Sequence, residues 1–140
     1  RQRQMCIRDR ISNHVAILAK NKKVREIVNK FQKKLIKNNK KICVEGRDIA
    51  TKILNKNPKY NLAFYFTCKI NVAAKRRWKE LKKKVPLKEV QKSLAKRTKM
   101  DKNRKHSPLK KVKDAILIRT DKINKKEVLN RMSREVNKII

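Results

Sequence analysis

The chain has 140 residues, 39% of them hydrophobic, with 44 Lys and Arg against 11 Asp and Glu and a formal net charge of +33. That length suits one domain or part of one, with a modest core. No run approaches the ~20 apolar residues of a membrane span, and the charged start "RQRQMCIRDR" has no apolar stretch behind it to act as a secretory signal.

The charge attracts polyanions, and nucleic acid is the first partner to consider. A second origin competes with it. Lys, Asn and Ile all have A/T-rich codons, and the lysines are spread along the chain rather than gathered in one stripe. Cys6, Cys43 and Cys68 lack CxxC spacing and are odd in number. They are expected as reduced, mostly buried thiols of a cytosolic protein. His14 and His106 show no ligand spacing with them, so no zinc site is expected.

In chain order, "MCIRDR" (Met5 to Arg10) resembles the translation of a transposon-end adapter used in sequencing-library preparation. Residues 1–10 are therefore expected to be non-native, with 11–140 forming one portion of a single domain. Residues 11–35 carry apolar residues at helical spacing: Val15, Leu18, Ala19, Val24, Ile27, Val28, Phe31 and Leu35. Ser12 or Asn13 is placed to cap that helix. "KICVEG" predicts a short buried strand ending at Gly46, the one glycine of the chain, and "RDIATKIL" a short helix. "LAFYFTC" (62–68) reads as a second strand, apolar on both faces as in a sheet covered on both sides. Residues 71–84 predict a helix holding Arg76, Arg77 and Trp78. After Pro86 a polar helix with a thin apolar stripe, Val90 and Leu94, is expected to dock loosely. "AILIRT" (115–120) predicts a third strand. The last segment predicts an amphipathic helix with Val128, Leu129, Met132, Val136 and Ile139 on one face. Strands alternating with helices imply a parallel sheet.

Ligands of open parallel sheets sit beyond the carboxyl ends of the strands, where Gly46-Arg47-Asp48 falls. A glycine there allows a sharp turn and close approach of a ligand. An arginine can grip a phosphate with its fork, and an aspartate can accept from an amino group. The tripeptide reads equally as a strand-to-helix turn. Arg97, Asp101 and Arg104 follow i, i+4, i+7 spacing on one helical face. Spacing alone favours a simple intrahelical ion pair there over a nucleotide-holding face. Arg76 and Arg77 read from spacing as a solvated basic face, and Trp78 as a packing residue.

The order "VREIV…ICVEGRDIAT…FYFTC…AAKRRWKEL…KRTKMDKNRKHSPLKKVKDAILIRTD" resembles bacterial cytidylate kinases over essentially all of 11–140. The resemblance implies an α/β fold, part of a P-loop-containing nucleoside-monophosphate kinase: a parallel sheet flanked by helices, without the N-terminal strand and P-loop. It implies transfer of the ATP γ-phosphate to CMP or dCMP in the cytoplasm, by a monomer without membrane contact. It assigns Arg25 and Asp48 to the cytosine edge, which suits the amino donor and ring acceptors of that base. Ser12 is carried over as a further substrate contact, with Asn13 its rival. Arg47 and Arg104 are implied at phosphate and base, and Arg97 and Asp101 at the pentose. Arg76 and Arg77, with Arg104, are implied as catalytic cations near the transferring phosphoryl group. This sequence departs from the family at Ala50, where a glycine is usual, at Ala73, which replaces an arginine, and at Thr98 and Lys99, which replace acids.

A P-loop, GxxxxGK[ST], needs two glycines, and this sequence has 1. ATP and Mg²⁺ are thus implied for an intact enzyme whose cradle lies upstream of these residues. The 140 residues alone are expected to be inactive and, with an open sheet edge, prone to aggregate. Two other readings stay open. One is a basic nucleic-acid-binding module, against which stands the 4% aromatic content, low for a base-stacking platform. The other is a UMP or AMP kinase.

Overall fold

The computed structural model describes residues 21–39, 41–56, 59–105 and 107–140. Residues 1–10, Ser12 and Asn13, Cys6, and both histidines lie outside them.

Helix α1, Lys22–Lys37, begins where the side chain of Asn21 accepts from the backbone N–H groups of Lys23 (2.9 Å) and Val24 (3.3 Å). Such a cap satisfies donors that the first turn leaves orphaned. The helix buries Ile36 against Ile53 and Leu54, with Val44, Ile49 and Tyr60 packed around them. Ile27, Val28, Phe31 and Leu35 remain exposed along another side.

The expected strand over 42–46 does not form. A strand exists through a hydrogen-bonded neighbour, and among the described residues the sheet contains β1 (Phe64–Thr67) and β2 (Ile116–Arg119) alone. The expected three strands are therefore two. Cys43, on that unpaired segment, is exposed, and Cys68, just past β1, is only half-buried, contrary to the expectation of mostly buried thiols. The helix expected after Asp48 is a π-turn, Ile49–Ile53, closed by Leu54 N–H donating to the Ile49 carbonyl at 2.8 Å. Closing the ring at i→i+5 sets Ile49 and Leu54 one above the other, so both join Ile53 in the cluster beneath α1.

β1 and β2 are parallel, from Phe64 opposite Ile116 to Thr67 opposite Arg119. Ala63, Ala115 and Ile118 are buried, but Phe66 and Leu117 stay exposed, so the described sheet is not covered on both faces as expected. Helix α2, Ile70–Glu80, and helix α3, Leu87–Asn103, form the crossover. They pack against one another and bury Ala74 and Val90, so α3 is docked where loose attachment was expected. Its stripe is thin, yet small Ala74 on the facing helix lets two backbones approach closely. Between them Lys82 and Lys83 adopt left-handed φ of 51° and 59°. Lys83 sets its ammonium 5.2 Å from the Trp78 ring centroid. Helix α4, Lys125–Val136, starts with a reciprocal capping box between Asn124 and Glu127. Its apolar stripe has no buried member, and Leu129 is exposed.

Candidate functional site

Gly46 does not have a left-handed φ. Its role is room: a Cβ built there would lie 2.7 Å from Cγ1 of Ile49. The missing side chain lets Ile49 drop into the cluster beneath α1 and brings Arg47 and Asp48 out at the start of the π-turn. The Asp48 carbonyl accepts from Lys52 N–H at 2.8 Å and from the Thr51 hydroxyl at 3.3 Å, which fixes the turn. The Asp48 carboxylate then accepts from the Arg25 guanidinium, projected from α1. Both side chains are largely covered, 15% and 17% exposed, so this pair is screened less than a surface pair.

Arg47 points the other way. Its guanidinium donates to Asp101 on α3, across 54 residues of sequence. Arg104 approaches the second oxygen of the same carboxylate at 3.7 Å. Asp101 therefore sits between two guanidiniums, while its backbone carbonyl accepts from Leu109 N–H at 2.7 Å and holds the following loop. Arg104 Nε donates to the Ser107 carbonyl, in a turn where Ser107 has φ 54°. Its Nη2 is buried and has no hydrogen-bond partner among the described residues. A guanidinium with one buried N–H unmet is a ready donor for an incoming oxygen anion.

The structure thus forms two clusters, Arg25 with Asp48 and Asp101 with Arg47 and Arg104, drawn from α1, the π-turn entrance and the end of α3 and connected through the adjacent residues 47 and 48. Arg97 is not drawn in. It is exposed and makes no side-chain hydrogen bond or ion pair with the described residues. The intrahelical pair that spacing favoured is formed by Arg104, not Arg97, and the stronger partner of Asp101 comes from far along the chain.

Arg76 is engaged at the carboxyl end of the sheet. It donates to the Thr120 carbonyl, to the Ile123 carbonyl and Thr120 hydroxyl at 3.4 Å each, and approaches Cys68 Sγ at 3.8 Å. Asp121 in the same region accepts from Lys69 N–H at the start of α2. Arg77 pairs with Glu80 at 3.1 Å. Sequence reasoning missed the Asp121 contact, although an acid just past a strand and facing a helix start is a usable signal. It also missed the bond from the Tyr60 hydroxyl to Asp114, 2.6 Å. That bond raises the Tyr60 pKa above its ordinary value, with burial and the Asp114 charge adding to the effect. The same hydrogen bond lowers Asp114, helped by Lys59 and Lys111.

Two parallel strands joined by a two-helix crossover, with arginine–carboxylate pairs beside them, define an α/β class. The cytidylate kinase family model matches residues 3–138. The chain is 37% identical over 131 residues to a cytidylate kinase of Clostridium botulinum (strain Okra), an alignment covering 91% of this chain and 58% of that protein. It is 37% identical over 131 residues to one from Caldanaerobacter subterraneus, covering 91% and 57%. One from Thermosipho melanesiensis is 40% identical over 121 residues, covering 84% and 54%. The chain belongs to the cytidylate kinase family, with its nucleoside-monophosphate kinase fold. It spans somewhat over half the length of the curated relatives it matches. No helix among the described residues is long and apolar enough to cross a membrane.

Proposed function

We propose that these residues form the acceptor-nucleotide site and lid portion of an enzyme that phosphorylates CMP or dCMP with ATP. The observation that carries this reading is the pair of clusters Arg25–Asp48 and Arg47–Asp101–Arg104, set side by side by the adjacent residues Arg47 and Asp48. Asp48 accepts from the exocyclic amino group of cytosine, and Arg25 donates to its ring acceptors. Uracil offers a carbonyl where cytosine has the amino group, and the carboxylate repels it. The phosphate takes Arg47 and the unmet Nη2 of Arg104. Asp101, released from Arg47, accepts from the pentose hydroxyls, and Arg97 turns inward to join it. Arg25 with Asp48, and Arg47 with Asp101, satisfy one another, so these four wait in place instead of facing water unpaired.

Arg76 and Arg77 supply positive charge to the transferring phosphoryl group. Arg76 must leave the Thr120 carbonyl to do so. ATP and Mg²⁺ are the partners of the whole reaction, but the residues described here do not fit them. Among them no group of three or more acidic, His or Cys side chains converges for a metal ion. With 1 glycine the sequence also lacks a GxxxxGK[ST] cradle. The 140-residue polypeptide therefore binds the acceptor and does not phosphorylate it.

Calorimetric titration with CMP, UMP and pyrophosphate at moderate salt tests the site. CMP binding that exceeds the other two and survives salt is expected. Equal, salt-labile binding of all three would overturn the acceptor site, and ATP-dependent CDP formation by the polypeptide would overturn its inactivity.

A further inference from the structure

The two arginines of the second cluster already face an anion that the chain itself supplies. Arg47 enters from the start of the π-turn and Arg104 from just past the end of α3, and both approach Asp101. One carboxylate oxygen accepts from Arg47. The other lies 3.7 Å from Nη1 of Arg104. That distance is too long for a hydrogen bond, so Arg104 is attracted there and not bonded. Its Nε is engaged with the Ser107 carbonyl, and its buried Nη2 has no partner among the described residues. The carboxylate thus leaves donors of Arg104 unmet. A phosphate group, with three terminal oxygens and a higher charge, meets more of them.

Asp101 is the one acid between Glu89 and Asp114 in the sequence. Its side chain is 16% exposed, so its charge is weakly screened. Its backbone carbonyl is fixed by Leu109 N–H, so its carboxylate is free to turn without moving α3.

We propose that Asp101 holds the phosphate place as an internal anion and thereby selects nucleotides over free oxyanions. The proposal rests on the reading of Arg47 and Arg104 as the phosphate grip. An incoming phosphate must displace the carboxylate from Arg47. The displaced carboxylate then needs a donor, because a covered charge left unpaired is costly. A nucleoside monophosphate brings pentose hydroxyls that donate to it. A free oxyanion without a proton, such as sulfate, brings no donor and adds like charge beside it. The exchange therefore favours the nucleotide.

The test is calorimetric titration of sulfate, at constant ionic strength, into the full chain and into Asp101→Asn. Asn keeps the shape and one acceptor oxygen but loses the charge. The variant is expected to bind sulfate about five- to tenfold more tightly, as loss of a competing charged partner allows. Its ratio of CMP affinity to sulfate affinity is expected to fall accordingly. A merely structural tie would give weaker sulfate binding once cut. Glu135→Gln removes the same charge from the Lys138 pair on α4 and is expected to leave sulfate affinity unchanged. Adding Arg47→Gln to Asp101→Asn is expected to remove most of the gain. No gain in Asp101→Asn, an equal gain in Glu135→Gln, or a gain that survives loss of Arg47 would overturn the proposal. One measurement needs no variant: the carboxyl carbon resonance of Asp101 in the parent chain is expected to move as sulfate is added, while that of Asp114 stays. An Asp101 signal that does not move also overturns it. Equal binding of CMP and UMP would sink the cytosine reading alone, because the exchange at Asp101 does not involve the base.

Discussion

Asp48 shows how one carboxylate serves fold and site together. Replacing it by Asn removes the charge that holds Arg25 and that strengthens the bond from the cytosine amino group, and puts an NH2 donor in place of one acceptor oxygen. Asp48→Asn is expected to weaken CMP binding at least tenfold, since a hydrogen bond to a charged group contributes about 1.5–3 kcal/mol. Pyrophosphate binding, which does not need that acceptor, is expected to change little in the same titration. Lys82 offers the opposite case. Its φ of 51° suits glycine, and a non-glycine residue in that region costs about 1–2 kcal/mol. Part of that returns as glycine's larger unfolded-state entropy. Lys82→Gly is therefore expected to stabilise by about 0.5 kcal/mol, read as a small rise in Tm. Neither residue's role was equally visible beforehand. Asp48 stood out beside Gly46 and Arg47, whereas nothing in "ELKKKVP" marks two left-handed lysines. The bond from Arg47 to Asp101 was invisible for a different reason. Spacing ranks partners within a helix, and this partner arrives through the tertiary fold.

At the scale of elements, local signals carried furthest where chemistry is local. Pro86 marked the start of α3, and Asn124 with Glu127 closes a box three residues wide. Asn124→Ala is expected to cost about 1 kcal/mol, as loss of a side-chain cap does, measured by denaturant unfolding. The segment 42–46 misled, because β-prone residues make a strand only when a neighbour is paired to them. The π-turn was also unreadable, since Ile49, Ile53 and Leu54 suit either helix and the choice is made by Ile36 beneath them. Gly46→Ala tests that packing. The added methyl meets Cγ1 of Ile49, a branched side chain already seated in the cluster. Overpacking of this kind costs about 1–3 kcal/mol. The variant is expected to unfold at lower denaturant and, with Asp48 displaced, to bind CMP more weakly.

For the whole molecule, the link between Tyr60 and Asp114 ties the segment before β1 to the one before β2 and gives stability a pH profile. Asp114 is lowered, so its contribution is present above the ordinary carboxylate range and fades as pH falls through the lowered value. Tyr60 is raised, so its contribution is present below about 10 and fades as pH climbs through the raised value. The Tm difference between the parent and Tyr60→Phe is expected to be largest between these limits and to shrink at both ends. The overall class of fold followed from alternating strands and helices, but the number of strands did not, because pairing is a property of neighbours. That pairing also orders events in time. Phe64 meets Ile116 only after the whole α2–α3 crossover has been laid down between them. Closing so long a loop costs entropy before any ladder bond rewards it. The crossover helices, joined by contacts close in sequence, are expected to associate first and to deliver β2 to its partner. During refolding, Trp78 fluorescence on α2 should then recover before the Ile118 amide becomes protected from exchange. The acceptor site, which needs the link from Arg47 to Asp101 on α3, would be among the last features to mature.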